Sequence, residues 1–261
     1  VEAGSTILHA GRLLRPQEIG LAASVGCREL TVYGRLKAAV FSTGDEVRDP
    51  TAEAGPGCIF DSNRYTVSGL LRGLGCEVAD LGILPDDEGA IRQALERAAG
   101  DNHLLITSGG VSLGEEDHVK DAVESLGQLH FWRLAIKPGR PIALGEVKGK
   151  AFVGLPGNPV AAMVTFMVIA RPVVQLLAGR TDITPIHFRV TAGFDHGKKL
   201  GRREWVRARL ERRPDGVLEA VKYAAGGAGI LTSMVEADGL VELPEDQGPV
   251  AKGAMVDFLP F

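Results

Sequence analysis

Residues 103–126 read HLLITSGGVSLGEEDHVKDAVESL, and three physical signatures follow one another along this stretch. Leu104, Leu105 and Ile106 form the short apolar run of a buried strand. Gly109 and Gly110 then free the backbone to turn. From 115 to 126 the apolar residues recur at helical spacing. A strand, a glycine turn and a helix make up the unit of a parallel sheet, because a parallel neighbour is reached only through a crossover. The same alternation continues on both sides. KAAVFS (37–42), CEVADLG (76–82) and AFVGL (151–155) are strand-like, and 63–74 and 86–99 have helical spacing. Asp61 or Ser62 could cap the first of these helices, and Gly75 sits where a glycine would stop it. The expected fold is a three-layer α/β sandwich on a mostly parallel sheet.

Beyond this core the pattern changes. Residues 158–178, NPVAAMVTFMVIARPVVQLLA, form a long apolar helix with Asn158 as N-cap and Pro159 at its first position, buried on most of its surface. Pro172 should kink or split it. After Gly179, IHFRVTAGF, REWVRARLE, GVLEAVKY, GLVELPE and AMVDFLPF alternate apolar with polar residues, the period of antiparallel strands with one wet face. We therefore expect a small all-β, barrel-like domain at 181–261 after an α/β domain at 35–180. Residues 1–34 read as the remnant of a preceding N-terminal domain, with a short helix at 16–26 and a strand at 29–33.

Composition narrows the classes of function. The 261 residues are 45% hydrophobic and 24% charged, with a formal net charge of −4. That balance argues against a nucleic-acid binder, which would carry a basic stripe, and Lys198, Lys199, Arg202 and Arg203 read as a solvated hairpin face. Cys27, Cys58 and Cys76 show no metal-ligand spacing. With no signal peptide and no apolar run read as a membrane span, a cytoplasmic protein without membrane or nucleic-acid partners is expected. The chain opens on Val1, as a fragment or trimmed product would.

Four glycine-containing loops follow apolar runs: STGDE (42–46), TSGGVSLGEED (107–117), KPGRP (137–141) and LPGNP (155–159). In open parallel sheets ligands bind beyond the carboxyl ends of the strands, where such loops gather. The loops at Thr43, Gly44, Ser108, Gly109, Gly110, Ser112, Pro156, Gly157, Asn158 and Pro159, and the turn of Pro138, Gly139 and Arg140, could cradle an anionic phosphate through the amides of their non-proline residues. Taken singly, each loop is as readily a tight connection. Acids stand beside them: Asp45 and Glu46, Asp86 and Asp87, and Glu115 to Asp117. Carboxylates tolerate phosphate when a cation lies between, and Mg²⁺ binds through one or two carboxylates plus substrate oxygens. Glu115, Glu116 and Asp87 also suit helix starts. There is no nucleophile elbow, Walker loop or HExxH motif, so the chemistry expected is positioning and electrostatics.

Taken in order, FSTGDEV, IFDSNRYTVSGLLRGLGCEVADLGILPDD, ITSGGVSLGEEDHVKD, FWRLAIKPGRP and GLPGNPVAAMVTF resemble the molybdopterin molybdenumtransferases of the MoeA and gephyrin E-domain type. The resemblance implies insertion of molybdate into adenylylated molybdopterin, with Mg²⁺-dependent release of AMP. It implies catalytic roles for Glu46, Asp86, Asp117 and Lys137, the three acids also holding the metal, and site positions for Pro156 and Pro159. Arg133 stands where relatives often have lysine, a planar multidentate cation in place of a point charge. The family's N-terminal region, which borders the partner's active site in a homodimer, has no counterpart in these residues. Two other readings remain: a molybdopterin adenylyltransferase or competence-damage-type nucleotide hydrolase, and a non-catalytic molybdopterin-binding scaffold.

Overall fold

The structure is a computed structural model that describes residues 1–53, 55–110 and 118–261. In chain order, α1 (Pro16–Ser24) precedes β1 (Lys37–Thr43), β2 (Val47–Arg48), β3 (Ile59–Phe60) and α2 (Asn63–Gly73). Next come β4 (Glu77–Leu84), α3 (Glu88–Asp101), β5 (Leu104–Ser108) and α4 (His118–Leu126). β6 (Gly127–Arg133), β7 (Ile136–Lys137), β8 (Pro141–Val147) and β9 (Lys150–Leu155) lead into α5 (Pro159–Thr165). A π-helical turn, Phe166–Ala170, joins α5 to α6 (Arg171–Leu177). β10 (Phe188–Ala192), β11 (Arg203–Arg212), β12 (Leu218–Lys222), α7 (Thr232–Val235), β13 (Gly239–Leu243) and β14 (Met255–Pro260) complete the chain.

The first sheet has the order β4-β1-β5-β9-β8-β6. Its first four strands run parallel and the last two pairings are antiparallel. Side chains of β1 alternate between two cores, as the period of two requires. Ala38 and Val40 pack with Val67 and Leu71 of α2 and with Ala162, Phe166 and Val174 of the long helix. Ala39 and Phe41 pack with Ile91 and Leu95 of α3 and with Val119 and Val123 of α4. Helices thus cover both faces, and the middle strands β1, β5 and β9 read as continuous apolar runs because neither side is wet.

The second sheet closes on itself: β12-β10-β14-β13-β11, with β11 returning to β12. Val190, Ala192, Val206, Ala208, Ala220, Val241, Val256 and Phe258 fill this five-stranded barrel. β7 joins from outside, pairing Ile136 with Arg203 and Lys137 with Glu204. The helix Pro159–Leu177 lies between the two bodies. Ala162, Phe166 and Ala170 face the parallel sheet, while Val160, Val164 and Met167 pack on Trp205, Leu240 and Leu259 of the barrel.

Several expectations change here. Pro159–Leu177 is 19 residues long with a mean hydropathy of 1.9, enough by length and composition to cross a membrane, contrary to the sequence reading. Two apolar partners, the sheet and the barrel, account for its all-round hydrophobicity. The helix runs continuously from Pro159 to Leu177, but a π turn at Phe166–Ala170 interrupts its α-helical pattern just ahead of Pro172. No strand forms at 29–33: these residues carry no regular structure, and Leu30, Val32 and Tyr33 are exposed. Asp61, not Ser62, supplies the helix-start contact, accepting from the Arg64 amide at 3.1 Å. Lys198 is not solvated but buried, donating to the Gln247 and Lys199 carbonyls. Leu95 is fully buried on α3, and we expect Leu95→Ala to lower the unfolding free energy by about 2–5 kcal/mol, measured by urea denaturation; a loss under about 1 kcal/mol would contradict the packing assigned to this face.

Candidate active site

Parallel pairing brings the ends of β1, β5 and β9 together, with Ser42 beside Ser108 and Ser108 beside Leu155. Glycine makes the close approach of the following loops feasible. Gly110 sits at φ +62°, and a Cβ there would overlap the Thr43 hydroxyl and the Val119 side chain. The Gly109 amide donates to the Leu155 carbonyl at 3.2 Å. One side chain then ties three segments: Asn63 Nδ2, at the start of α2, donates to Ser108 Oγ and to the Gly157 carbonyl, both at 2.7 Å. Ser108 Oγ in turn donates to the Pro156 carbonyl at 3.1 Å. Asn63 Oδ1 and Ser42 Oγ are buried polar atoms without a protein partner among the described residues, and such atoms call for a water or ligand partner.

Glu46 occupies the turn after β1. The Val47 amide closes this turn on the Gly44 carbonyl, and the Ile59 amide donates to the Glu46 carbonyl at 2.8 Å. The β2–β3 pair extends that ladder. Beneath it Arg64, 5% exposed, binds Asp61, Asp49 and Asp80, joining the turn-bearing loop to β4. Burial opposes the Arg64 charge, but Asp80 and Asp61 overcome it and raise its pKa. Asp49 is lowered to about 2, first by hydrogen bonds from Thr51 and then by Arg64 and Tyr65. Burial is the largest single influence on the Asp80 carboxyl and pushes it upward, but the hydrogen bonds from Arg64 and the Gly82 amide, with the nearby arginine charges, together leave the pKa lowered.

Asp86 is exposed in the loop after β4, whose Leu84 pairs with Thr43. Asp87 is structural, capping α3 by accepting from the Ala90 amide at 2.8 Å. The turn 137–140 lies on the opposite flank. Its Lys137–Pro138 peptide is cis, and Gly139 has φ +87°. A Cβ at Gly139 would overlap the Thr165 hydroxyl and approach the Ala161 carbonyl at 3.2 Å, so this turn rests directly on α5. Lys137 Nζ stands 3.5 Å from Glu204 of the barrel. The start of α5 is also met from the barrel side, the Val160 amide donating to the Ala228 carbonyl at 2.9 Å.

Comparison with known proteins fits this architecture part by part. Residues 39–176 match the family model described as "Probable molybdopterin binding domain", and 189–261 match the "MoeA C-terminal region (domain IV)". The chain belongs to the MoeA family. It is 38% identical over its whole length to the molybdopterin molybdenumtransferase of Haemophilus influenzae, of which the match covers 65%. It is 35% identical to molybdopterin molybdenumtransferase 2 of Mycobacterium tuberculosis, the match covering 98% of this chain and 64% of that one. A molybdopterin biosynthesis MoeA protein from Pyrococcus horikoshii superposes with a TM-score of 0.81 at 25% identity, over 100% of this chain and 63% of that chain. The MoeA-family chain thus spans a little under two thirds of the length of these relatives.

Within this MoeA-family chain, Thr43 and Ser108 end strands β1 and β5, Pro159 opens α5, and Gly44, Glu46, Gly109, Gly110, Pro156, Gly157 and Asn158 belong to the loops at the same end of the parallel sheet. Lys137, Pro138, Gly139 and Arg140 reach α5 from the flank. Asp117 and Ser112, with Glu115 and Glu116, lie outside the described residues. Among the described residues no group of three His, Cys, Asp or Glu could hold a metal ion. Asn158 makes no side-chain cap bond, so Pro159 and the preceding turn start α5 without it. Sequence pattern does not single out Asn63, Arg64, Asp49 and Asp80, whose connecting bonds Asn63–Gly157, Arg64–Asp80 and Arg64–Asp49 span 94, 16 and 15 residues. Only the stretch FDSN hints at them, and there the acid reads as a helix cap alone.

Removing the guanidinium would leave three carboxylates together. Arg64→Met should destabilise by about 3 kcal/mol, the low end for a broken buried pair, because Asp49 and Asp80 are partly exposed and screened. Lowered carboxylate pKa values confer stability that is complete above the ordinary value near 3.8 and is lost as pH falls toward about 2. Denaturant titrations across that window should therefore show a shallower acid loss in Arg64→Met than in the parent; equal slopes would contradict the network. Asn63→Ala should cost about 1–3 kcal/mol through its two lost hydrogen bonds, at about 0.5–1.5 kcal/mol each, measured the same way.

Proposed function

We propose that this chain carries the catalytic part of a molybdopterin molybdenumtransferase. Molybdate is inserted into the dithiolene of adenylylated molybdopterin, and AMP is released. The observation that carries this reading is the convergence of the SGG and LPGNP loops on Asn63, with the Lys137 turn fixed beside them between the sheet and the barrel. The names of the H. influenzae and M. tuberculosis relatives point to the same activity.

In this reading the turn Ser108 to Gly110, whose Gly109 amide is tied to the Leu155 carbonyl, and the turn at Thr43 and Gly44 receive the phosphate end of the substrate, and Pro156 to Pro159 form the second wall. Lys137 and Arg140 face the anions, as point charge and fork respectively. Glu46 and Asp86 are exposed carboxylates beyond adjacent strands. Oxygen donors of this kind, few and solvent-facing, fit Mg²⁺, which keeps several waters and completes its shell with substrate oxygens. Asp117 is the third proposed ligand. The ion, when bound, supplies the charge neutralisation that lets carboxylates and phosphates share a site. The sandwich of 35–180 and the β domain of 181–261 then act as one unit, in a cytoplasmic homodimer without nucleic-acid or membrane partners.

An adenylyltransferase or nucleotide hydrolase is less favoured, because the MoeA-type β domain is attached and β7 binds the lysine turn to it. A scaffold would show no ligand-linked stabilisation, whereas a functioning site gains stability by mass action. Adenylylated molybdopterin with Mg²⁺ at one hundred times the dissociation constant should stabilise the protein by about 2.7 kcal/mol. An unchanged melting temperature at saturating ligand would refute binding. Asp117→Ala should lower cofactor formation at least about 100-fold with an unchanged melting temperature; normal output from that variant would remove Asp117 from the site.

A further inference from the structure

Glu204 is a carboxylate buried in the barrel wall, 1% exposed, in register with Lys137 across the β7–β11 pairing. Its Oε1 accepts from Arg202 Nε at 2.6 Å, and its Oε2 lies 3.1 Å from His196 Nε2 and 3.5 Å from Lys137 Nζ. The second imidazole nitrogen, His196 Nδ1, stands 3.2 Å from Lys222 Nζ. An ammonium can only donate, so Nδ1 is the acceptor and Nε2 carries the proton given to Glu204. The imidazole is therefore neutral and fixed in one tautomer.

A buried acid of this kind is a costly way to hold a barrel together, since apolar groups of similar size usually serve stability as well or better. Its burial does oppose its charge, but the hydrogen bonds from His196 and Arg202, together with the charges of Lys137 and Arg202, leave its pKa lowered. The charge is directed at groups that reach the junction with the sheet. The Lys137 side chain is 54% exposed and that of Arg202 34%. Held from two sides by His196 and Arg202, the carboxylate cannot turn away from the lysine.

We propose that Glu204 is a positioning residue of the active site: from the barrel it holds the Lys137 ammonium beside the first turns of α5, and His196 locks the carboxylate that does so. The proposal rests on the reading that Lys137 acts on the substrate anions. It gives the barrel a defined part in the chemistry of the sheet, through one ion pair.

A double-mutant cycle on the full protein tests it, read as kcat and KM for molybdate-dependent AMP release. Glu204→Gln should lower kcat about tenfold while KM for adenylylated molybdopterin moves less than about threefold. In a Lys137→Ala background the same change should cost nothing further. Independent losses that multiply would overturn the proposal and leave Glu204 a structural residue. So would a silent Glu204→Gln in a protein that Lys137→Ala impairs. A silent Lys137→Ala would instead remove Lys137 from the site, and this inference with it. If Glu204→Gln does not fold, as thermal unfolding would report, His196→Leu serves: it keeps the carboxylate but removes its lock. The loss it causes should likewise vanish in the Lys137→Ala background, and a loss that persists there would overturn the proposal.

Discussion

Parallel pairing of β4, β1, β5 and β9 is the constraint on which the rest of the molecule depends. Strands that run the same way deliver all their carboxyl ends to one edge, and each must then turn into a helix that covers a face. The loops at that edge are therefore neighbours by necessity. Their chemistry is separate from the scaffold's: Ala38 to Phe41 fill two cores, while Thr43 to Glu46 form the turn beyond them. Glycine at 110 permits β5 to leave the sheet against Thr43 and α4 at a distance no other residue would allow.

The barrel is coupled to this edge through shared surface. The helix Pro159–Leu177 is apolar on opposite sides, burying one against the sheet and the other against Trp205, Leu240 and Leu259. β7 adds a second link, because its two residues hydrogen-bond to β11 while the cis Lys137–Pro138 turn rests on α5. Packing thus fixes where Lys137 stands relative to the SGG and LPGNP loops. A cavity of about 1120 Å³ lies elsewhere, between residues 7–21, the far half of the long helix and the strands β11 and β14, and none of the glycine-loop residues line it. Size alone is a poor guide to chemistry here; the convergence of loops is the better one.

Most of the architecture was legible in local pattern. β1, β4, β5 and β9 announced themselves as apolar runs, and the barrel strands by alternation, because burial on two faces or on one leaves those signatures directly. Residues 29–33 misled, since a strand needs a partner edge that composition does not reveal. The short pieces β2, β3 and β7 were invisible for the converse reason: pairing, and not pattern, makes them strands. The loops of the site could be named from glycine, proline and acid spacing, whereas Asn63, Arg64 and Glu204 act through partners distant in sequence. Lys198 looked like one more charge in a basic run, and only the fold places its ammonium against two backbone carbonyls. Long-range polar satisfaction is the part that sequence periodicity does not encode.

On the proposed function, this sheet edge transfers molybdenum to an adenylylated pterin. The most direct measurement supplies the full protein with adenylylated molybdopterin and Mg²⁺, adds molybdate, and follows AMP. The account predicts AMP release that depends on molybdate and is accompanied by formation of molybdenum cofactor. Adenylylation of molybdopterin from ATP, with no molybdate-dependent release of AMP, would contradict it.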